Sequence, residues 1–170
     1  KNDFKTFYFS SKSNLNSIVY NKNSLKKLVA STSLDSYFAQ KNKNKVIFIK
    51  TDIEGGEFEL IQGGMNFFDK NKKIVFLLEL HPYTYNSNNR DIRKLFNNLF
   101  KNGYKVKFVE SAGVPVPEIF KKFHHKPFMV GNGRGLYKNV SNEFILDYAF
   151  SEHFFVQSVN FFNYKPILHN

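Results

Sequence analysis

Six residues of this chain have types and spacings suited to proton or cation chemistry. Asp52, Glu54 and Glu57 fall within Asp52-Ile53-Glu54-Gly55-Gly56-Glu57, directly after the apolar run Val46-Ile47-Phe48-Ile49. Glu79 and His81 fall in Glu79-Leu80-His81-Pro82, directly after Ile74-Val75-Phe76-Leu77-Leu78, and Glu110 closes Val106-Lys107-Phe108-Val109-Glu110. An apolar run that stops at polar and Gly residues reads as a buried strand with its carboxyl end at a rim, where open α/β sheets place their ligands. Asp52 can there accept a proton, hold a hydroxyl or ligate a cation; the competing reading is a cap on a helix beginning at Glu57. Glu54 divides between the same chemistry and a helix-dipole role. Glu79 is expected inside an apolar strand, where an acid must be paired or hydrogen-bonded. His81 is the one histidine on this rim and can act as a base near neutral pH, with a loop hydrogen bond as the alternative. His124, His125, His153 and His169 carry no such context, no His-Glu-x-x-His occurs, and no metal site is expected from the spacing. Gly131-Asn132-Gly133-Arg134-Gly135 looks superficially like a phosphate loop, but it reads as a turn.

The elements that must position these residues follow from periodicity. Residues 4–10 alternate as a strand, residues 11–16 are turn-like, and residues 24–30 suit a short strand or hairpin partner. A helix begins near Ser33-Leu34-Asp35, capped by Ser33 or Asp35. Residues 45–50, 73–80 and 105–110 are predicted strands. A short helix over residues 57–62 ends at Gly63-Gly64. The clearest helix carries Ile92, Leu95, Phe96, Leu99 and Phe100 at i, i+3, i+4, i+7, i+8, with Asn88 or Asn89 as its cap and Gly103 at its end. A further helix is expected over residues 118–123. Phe128-Met129-Val130, Leu136-Tyr137 and residues 154–164 are strand candidates. The order strand, helix, strand, helix, strand predicts an α/β fold with a mainly parallel sheet whose three predicted strands are neighbours.

Composition sets the outer limits. The chain has 170 residues, of which 42% are hydrophobic, enough for one domain with a Phe-rich core drawn from 21 Phe and 9 Tyr. There is no Cys, which excludes disulfides, thiolate zinc sites and Cys nucleophiles. No apolar run approaches a bilayer span and no signal segment opens the chain, so a cytoplasmic protein without a membrane span is expected. The net charge is +11, but 22 of the 25 basic residues are Lys and only 3 are Arg. Nucleic-acid readers rely on Arg for bidentate contacts, so the charge reads as a solvated Lys surface and no nucleic-acid partner is expected. The chain opens at Lys1, not Met, which suggests a piece of something longer.

Taken together, Ser33-Leu34-Asp35, Phe48-Ile49-Lys50-Thr51-Asp52-Ile53-Glu54-Gly55-Gly56-Glu57, Leu60-Ile61-Gln62-Gly63-Gly64 and Leu77-Leu78-Glu79-Leu80-His81 resemble the FkbM family of methyltransferases in order and spacing, over about residues 4–109. Thr51 stands where that family usually has Ile, and Gly56 where it usually has Ala. The resemblance implies a class I, Rossmann-like enzyme that uses S-adenosylmethionine, usually to methylate a hydroxyl of a sugar or another secondary metabolite. It implies Asp52 and His81 as catalytic residues, Asp52 and Glu54 at the cofactor, and Glu79 with Asn14 and Ser17 at a small-molecule or glycan acceptor, Glu79 orienting His81 or a substrate hydroxyl. Asn14 and Ser17 also suit plain turn formation. The family's Gly-rich cofactor loop and the acid after its second strand have no counterpart here: 51 residues precede Asp52, and none of them is Gly. The expectation is therefore one partial methyltransferase domain over residues 1–170. It divides into an N-terminal hairpin and helix (1–44), a parallel strand-helix core (45–130) and a C-terminal extension (131–170). The missing half lies upstream, on another chain or is lost, and an upstream part of the same protein would complete the cofactor site. The competing class is a degenerate module that keeps the sheet as a non-catalytic binding or assembly surface.

Overall fold

The computed structural model describes residues 2–11, 16–18, 24–39, 47–71, 74–81, 90–111, 115–149 and 160–164. Two strands, β1 (Asn2–Phe9) and β2 (Leu25–Thr32), form an antiparallel ribbon in which Asn2 faces Thr32 and Phe9 faces Leu25. The short helix α1 (Leu34–Phe38) follows at once. Ser33 caps it, its hydroxyl accepting from the Ser36 amide at 3.1 Å. Asp35 does something else: its carboxylate accepts from the Phe67 amide at 2.7 Å and from the Asn66 side chain at 2.8 Å. It thereby occupies free amides at the start of α3 (Met65–Lys70) and ties α1 to it.

Among the described residues the main sheet has six strands: β3 (Ile47–Thr51), β4 (Ile74–Leu78), β5 (Val106–Glu110), β6 (Met129–Gly131), β7 (Arg134–Lys138) and β8 (Asn160–Tyr164). Their order is β3-β4-β8-β5-β7-β6. β3 and β4 are parallel neighbours, joined through α2 (Glu57–Gln62) and α3 as the crossover length requires. The expected neighbour relation of β4 and β5 does not hold. β8 lies between them, antiparallel to both, and β6 and β7 add an antiparallel hairpin on the far side. Among the described residues, one of the sheet's five neighbouring pairs is parallel and four are antiparallel. The cause is the last described strand, which fills the gap that the helical crossover of α4 (Ile92–Lys101) leaves between β4 and β5. β3, β4 and β5 still point the same way, so their carboxyl ends face one side.

Gly131 to Gly135 is the β6–β7 turn, with Asn132 at φ 50° and Gly133 at φ 72°, the positive values that a tight hairpin demands. α4 is capped by Asp91, whose carboxylate accepts from the Lys94 amide at 3.1 Å; Asn88 and Asn89 lie outside the described residues. Gly103, at φ 85°, ends it as expected. The core is aromatic: Phe67, Phe68, Phe76, Phe96, Tyr104, Phe120, Tyr137 and Phe144 are buried with Ile61, Ile74, Leu78, Leu80 and Leu99. Among the described residues no helix is long and apolar enough to cross a membrane.

Candidate active site

Two loops at the carboxyl ends of β3 and β4 build the site. Thr51 and Leu78 are register partners, and the Glu79 amide donates to the Thr51 carbonyl at 3.0 Å, so the two strand ends leave the sheet side by side. After β3 the chain must turn sharply into α2. It does so through two consecutive positive φ values, 49° at Glu54 and 94° at Gly55. Gly55 takes this conformation freely, whereas for Glu54 it costs about 1–3 kcal/mol. Three hydrogen bonds hold the turn, one of them from the Gly56 amide to the Ile53 carbonyl at 3.2 Å. The Ser17 hydroxyl donates to the Glu54 carbonyl at 2.6 Å, and the Gly55 amide donates to the Glu57 carboxylate at 3.2 Å. The turn throws Asp52 outward, where it is exposed, leaves Glu54 half-buried, and drives Glu57 to 0% exposure.

His81 enters from β4 and is 5% exposed. Its Nδ1 lies 2.9 Å from Glu57 Oε1 and its Nε2 lies 3.4 Å from Glu54 Oε2. Because Glu57 Oε1 already accepts from Gly55, it acts as an acceptor and the His81 Nδ1–H donates to it. Burial alone would push the His81 pKa down; the hydrogen bond and charge of Glu57, with the charges of Glu54 and Glu79, outweigh it and hold the imidazole above its ordinary value. Burial also raises the Glu54 pKa, with Asp52, Glu79 and Glu57 adding to it against the opposing pull of His81. Donor atoms of Asp52, Glu54 and His81 all lie within 4.8 Å of one another. Asp52 and Glu54 open onto a crevice of about 420 Å³ walled by Phe7, Asn16, Ile18, Ile53 and Gly56. The β1–β2 ribbon and the β3 loop thus share one pocket.

The structure brings Asp52, Glu54 and His81 together and shows the contacts of the neighbouring residues. Asp52 is no helix cap, since Gly56 begins α2 without a side-chain cap. Glu79 follows the end of β4, half-buried, and acts on His81 through its charge; the carboxylate that orients the ring is Glu57. Ser17 is 9% exposed and braces the Glu54 turn. Asn14 lies outside the described residues. Glu57 stands on the predicted rim, but its burial and its hold on His81 are not legible in the pattern, where it reads as the first residue of the short helix over residues 57–62. The available signal was its place two residues after Gly55, whose turn points the first helical side chain inward. The third strand end does not join the cluster. Glu110 pairs with Arg134 at 3.2 Å, and the buried Ser111 hydroxyl accepts from the Gly135 amide at 2.9 Å.

No curated protein and no solved structure matches the chain. The elements that build the site, from the ribbon through the β3 and β4 loops, fall within residues 2–106, the span that matches the methyltransferase FkbM domain, and the chain belongs to that family of methyltransferases.

Proposed function

We propose that the protein transfers a methyl group from S-adenosylmethionine to a hydroxyl of a sugar or another secondary metabolite. The observation that carries this reading is the exposed Asp52 carboxylate at a crevice of about 420 Å³, beside Glu54 and the buried His81, in a chain of this family. The residues present fit the sulfonium end of the methyl donor. Asp52 and Glu54 supply negative charge for a cation, and Phe7, Ile18 and Ile53 supply apolar contact for its carbon substituents. When bound, S-adenosylmethionine supplies an electrophilic methyl on positively charged sulfur.

The work of this chain is to orient a hydroxyl and remove its proton. Asp52 is the solvent-facing acceptor for that proton. His81 has carboxylates at both ring nitrogens, so it holds Glu54 and, through it, the mouth of the crevice. In this reading Glu79, half-buried and close enough to act on Glu54 through its charge, accepts from a second hydroxyl of the acceptor. The test is transfer of radiolabelled methyl by the intact protein across a panel of sugars and small alcohols. Transfer in the wild type, with Asp52→Asn down about 10²–10⁴-fold, supports the reading. Wild-type transfer rates in Asp52→Asn move the base elsewhere. Donor binding without transfer to any acceptor points to a non-catalytic module.

A further inference from the structure

The side chains that serve proton chemistry in the methyl-transfer reading also have the make-up of a cation site. Asp52, Glu54 and His81 each offer one donor atom, all within 4.8 Å of one another. Donors bound to one cation at about 2.1 Å sit roughly 3–4.3 Å apart, so small side-chain rotations complete the set. Acids that meet at a surface commonly do so without an ion, and two features set this group apart. The first is His81, which is 5% exposed and fixed from behind. Glu57, at 0% exposure, holds Nδ1 and leaves Nε2 turned toward Glu54. A carboxylate behind the ring is how proteins commonly fix the tautomer of a metal-ligating imidazole. The second is the 3.4 Å approach of His81 Nε2 to Glu54 Oε2. With Nδ1–H donated to Glu57, two lone pairs face each other there unless a proton or a metal ion lies between them.

The geometry points to a binding site for one first-row divalent cation, of the Mn²⁺ class, held by the Asp52 and Glu54 carboxylates and by His81 Nε2 at the mouth of the crevice. One imidazole with two carboxylates suits such an ion better than Ca²⁺, which takes oxygen ligands alone. Three protein ligands leave positions open toward the crevice, where a hydroxyl bound to the ion loses its proton more readily. The inference goes beyond methyl transfer and stands without it, because binding is read directly.

The experiment titrates the full chain with Mn²⁺ and follows the electron paramagnetic resonance signal of the free aqueous ion. One Mn²⁺ per chain is expected. Asp52→Asn and Glu54→Gln should each weaken binding about 10-fold or more, and Glu57→Gln, which touches no ion, about 10–100-fold. Glu118→Gln, an exposed acid in the short helix α5 (Glu118–Lys122), should change nothing. Asp52 is exposed, so its variant keeps the fold, checked by circular dichroism, and decides the matter even if Glu57→Gln unfolds the turn. A wild type that binds no more tightly than Asp52→Asn overturns the site, as does binding that Glu118→Gln weakens equally. A chain that binds Mn²⁺ in the expected pattern yet transfers no methyl keeps this site and loses the methyl-transfer reading. Transfer that persists in excess chelator, without Mn²⁺ binding, does the reverse.

Discussion

His81 is buried with a carboxylate at each ring nitrogen, and that pairing couples its protonation to folding. Its folded pKa lies above the ordinary 6.5, so the folded state holds the proton more tightly than the unfolded chain. The stabilisation is complete below pH 6.5, where both states are protonated, and is lost as pH rises through the folded value. Glu54 acts in the same direction from its ordinary 4.5 upward, since its folded pKa is also raised. In chelator-containing buffer the melting temperature should therefore fall as pH rises from about 6 to 9, and Glu57→Gln should flatten that slope. A wild-type slope of the opposite sign would show that the imidazole is neutral in the folded chain. Glu57→Gln also leaves part of a buried hydrogen-bond set unsatisfied, at a cost of about 1–3 kcal/mol. Asp52→Asn is exposed and should move stability by no more than about 0.5 kcal/mol, while methyl transfer falls by orders of magnitude. Thermal melts beside turnover measurements separate the two residues, one expected to act on stability and positioning, the other on the proposed proton removal.

At the scale of elements, Gly135 shows how a strand end is closed off from the site. A Cβ there would lie 2.0 Å from the Pro115 carbonyl oxygen, a backbone atom that cannot step aside cheaply. The same carbonyl accepts from the Tyr137 hydroxyl at 2.8 Å, and the Ser111 amide donates to the Gly135 carbonyl at 2.9 Å. Gly135→Ala should destabilise by about 2 kcal/mol or more through this clash, read as a shift in the urea midpoint at unchanged slope. Gly131→Ala in the same hairpin meets nothing within 4 Å and is the control. This closure explains why Glu110 and Ser111, legible as a third rim, take no part in the cluster. Local pattern did reveal the elements themselves: alternation marked β1, apolar runs marked β3, β4 and β5, and the 3.6-residue period marked α4, four of whose five predicted apolar positions are buried. Asp52, Glu54 and His81 were legible because a polar residue at a strand end is placed by the strand. Glu57 was not, since its burial depends on two positive φ values in the preceding turn, which residue type alone signals only at Gly55. Asp35 likewise reads as a cap on its own helix, while its partners lie 31 and 32 residues on.

The whole molecule depends on a strand from its far end. β8 pairs with β4 through Val75–Tyr164 to Leu78–Phe161, and with β5 through Val106–Asn163 to Glu110–Asn160. Periodicity cannot announce such a pairing, because strand choice between partners 50 to 90 residues apart is decided by the gap the other elements leave, not by the local pattern. The two halves of the sheet, β3-β4 and β5-β7-β6, meet through β8. Without it, β4 and β5 would each expose an open edge of backbone donors and acceptors at the centre of the sheet, on strands that also carry buried Phe76, Leu78, Val106 and Val109. Closing that gap by direct β4–β5 contact would require α4 and its crossover to shift by a strand spacing, about 4.8 Å, against a packed aromatic core. A chain ended after Ala149 should therefore lose cooperative unfolding altogether and not merely soften. Differential calorimetry should show no sharp transition, near-ultraviolet dichroism of the aromatic core should collapse, and far-ultraviolet helix signal should partly persist. The His81–Glu57 pair hangs on the end of β4, so the same truncation should abolish Mn²⁺ binding even though every proposed ligand is still present. A shortened chain that melts cooperatively within a few degrees of the intact one would show that β8 is an accessory strand and that β3 and β4 hold the site unaided.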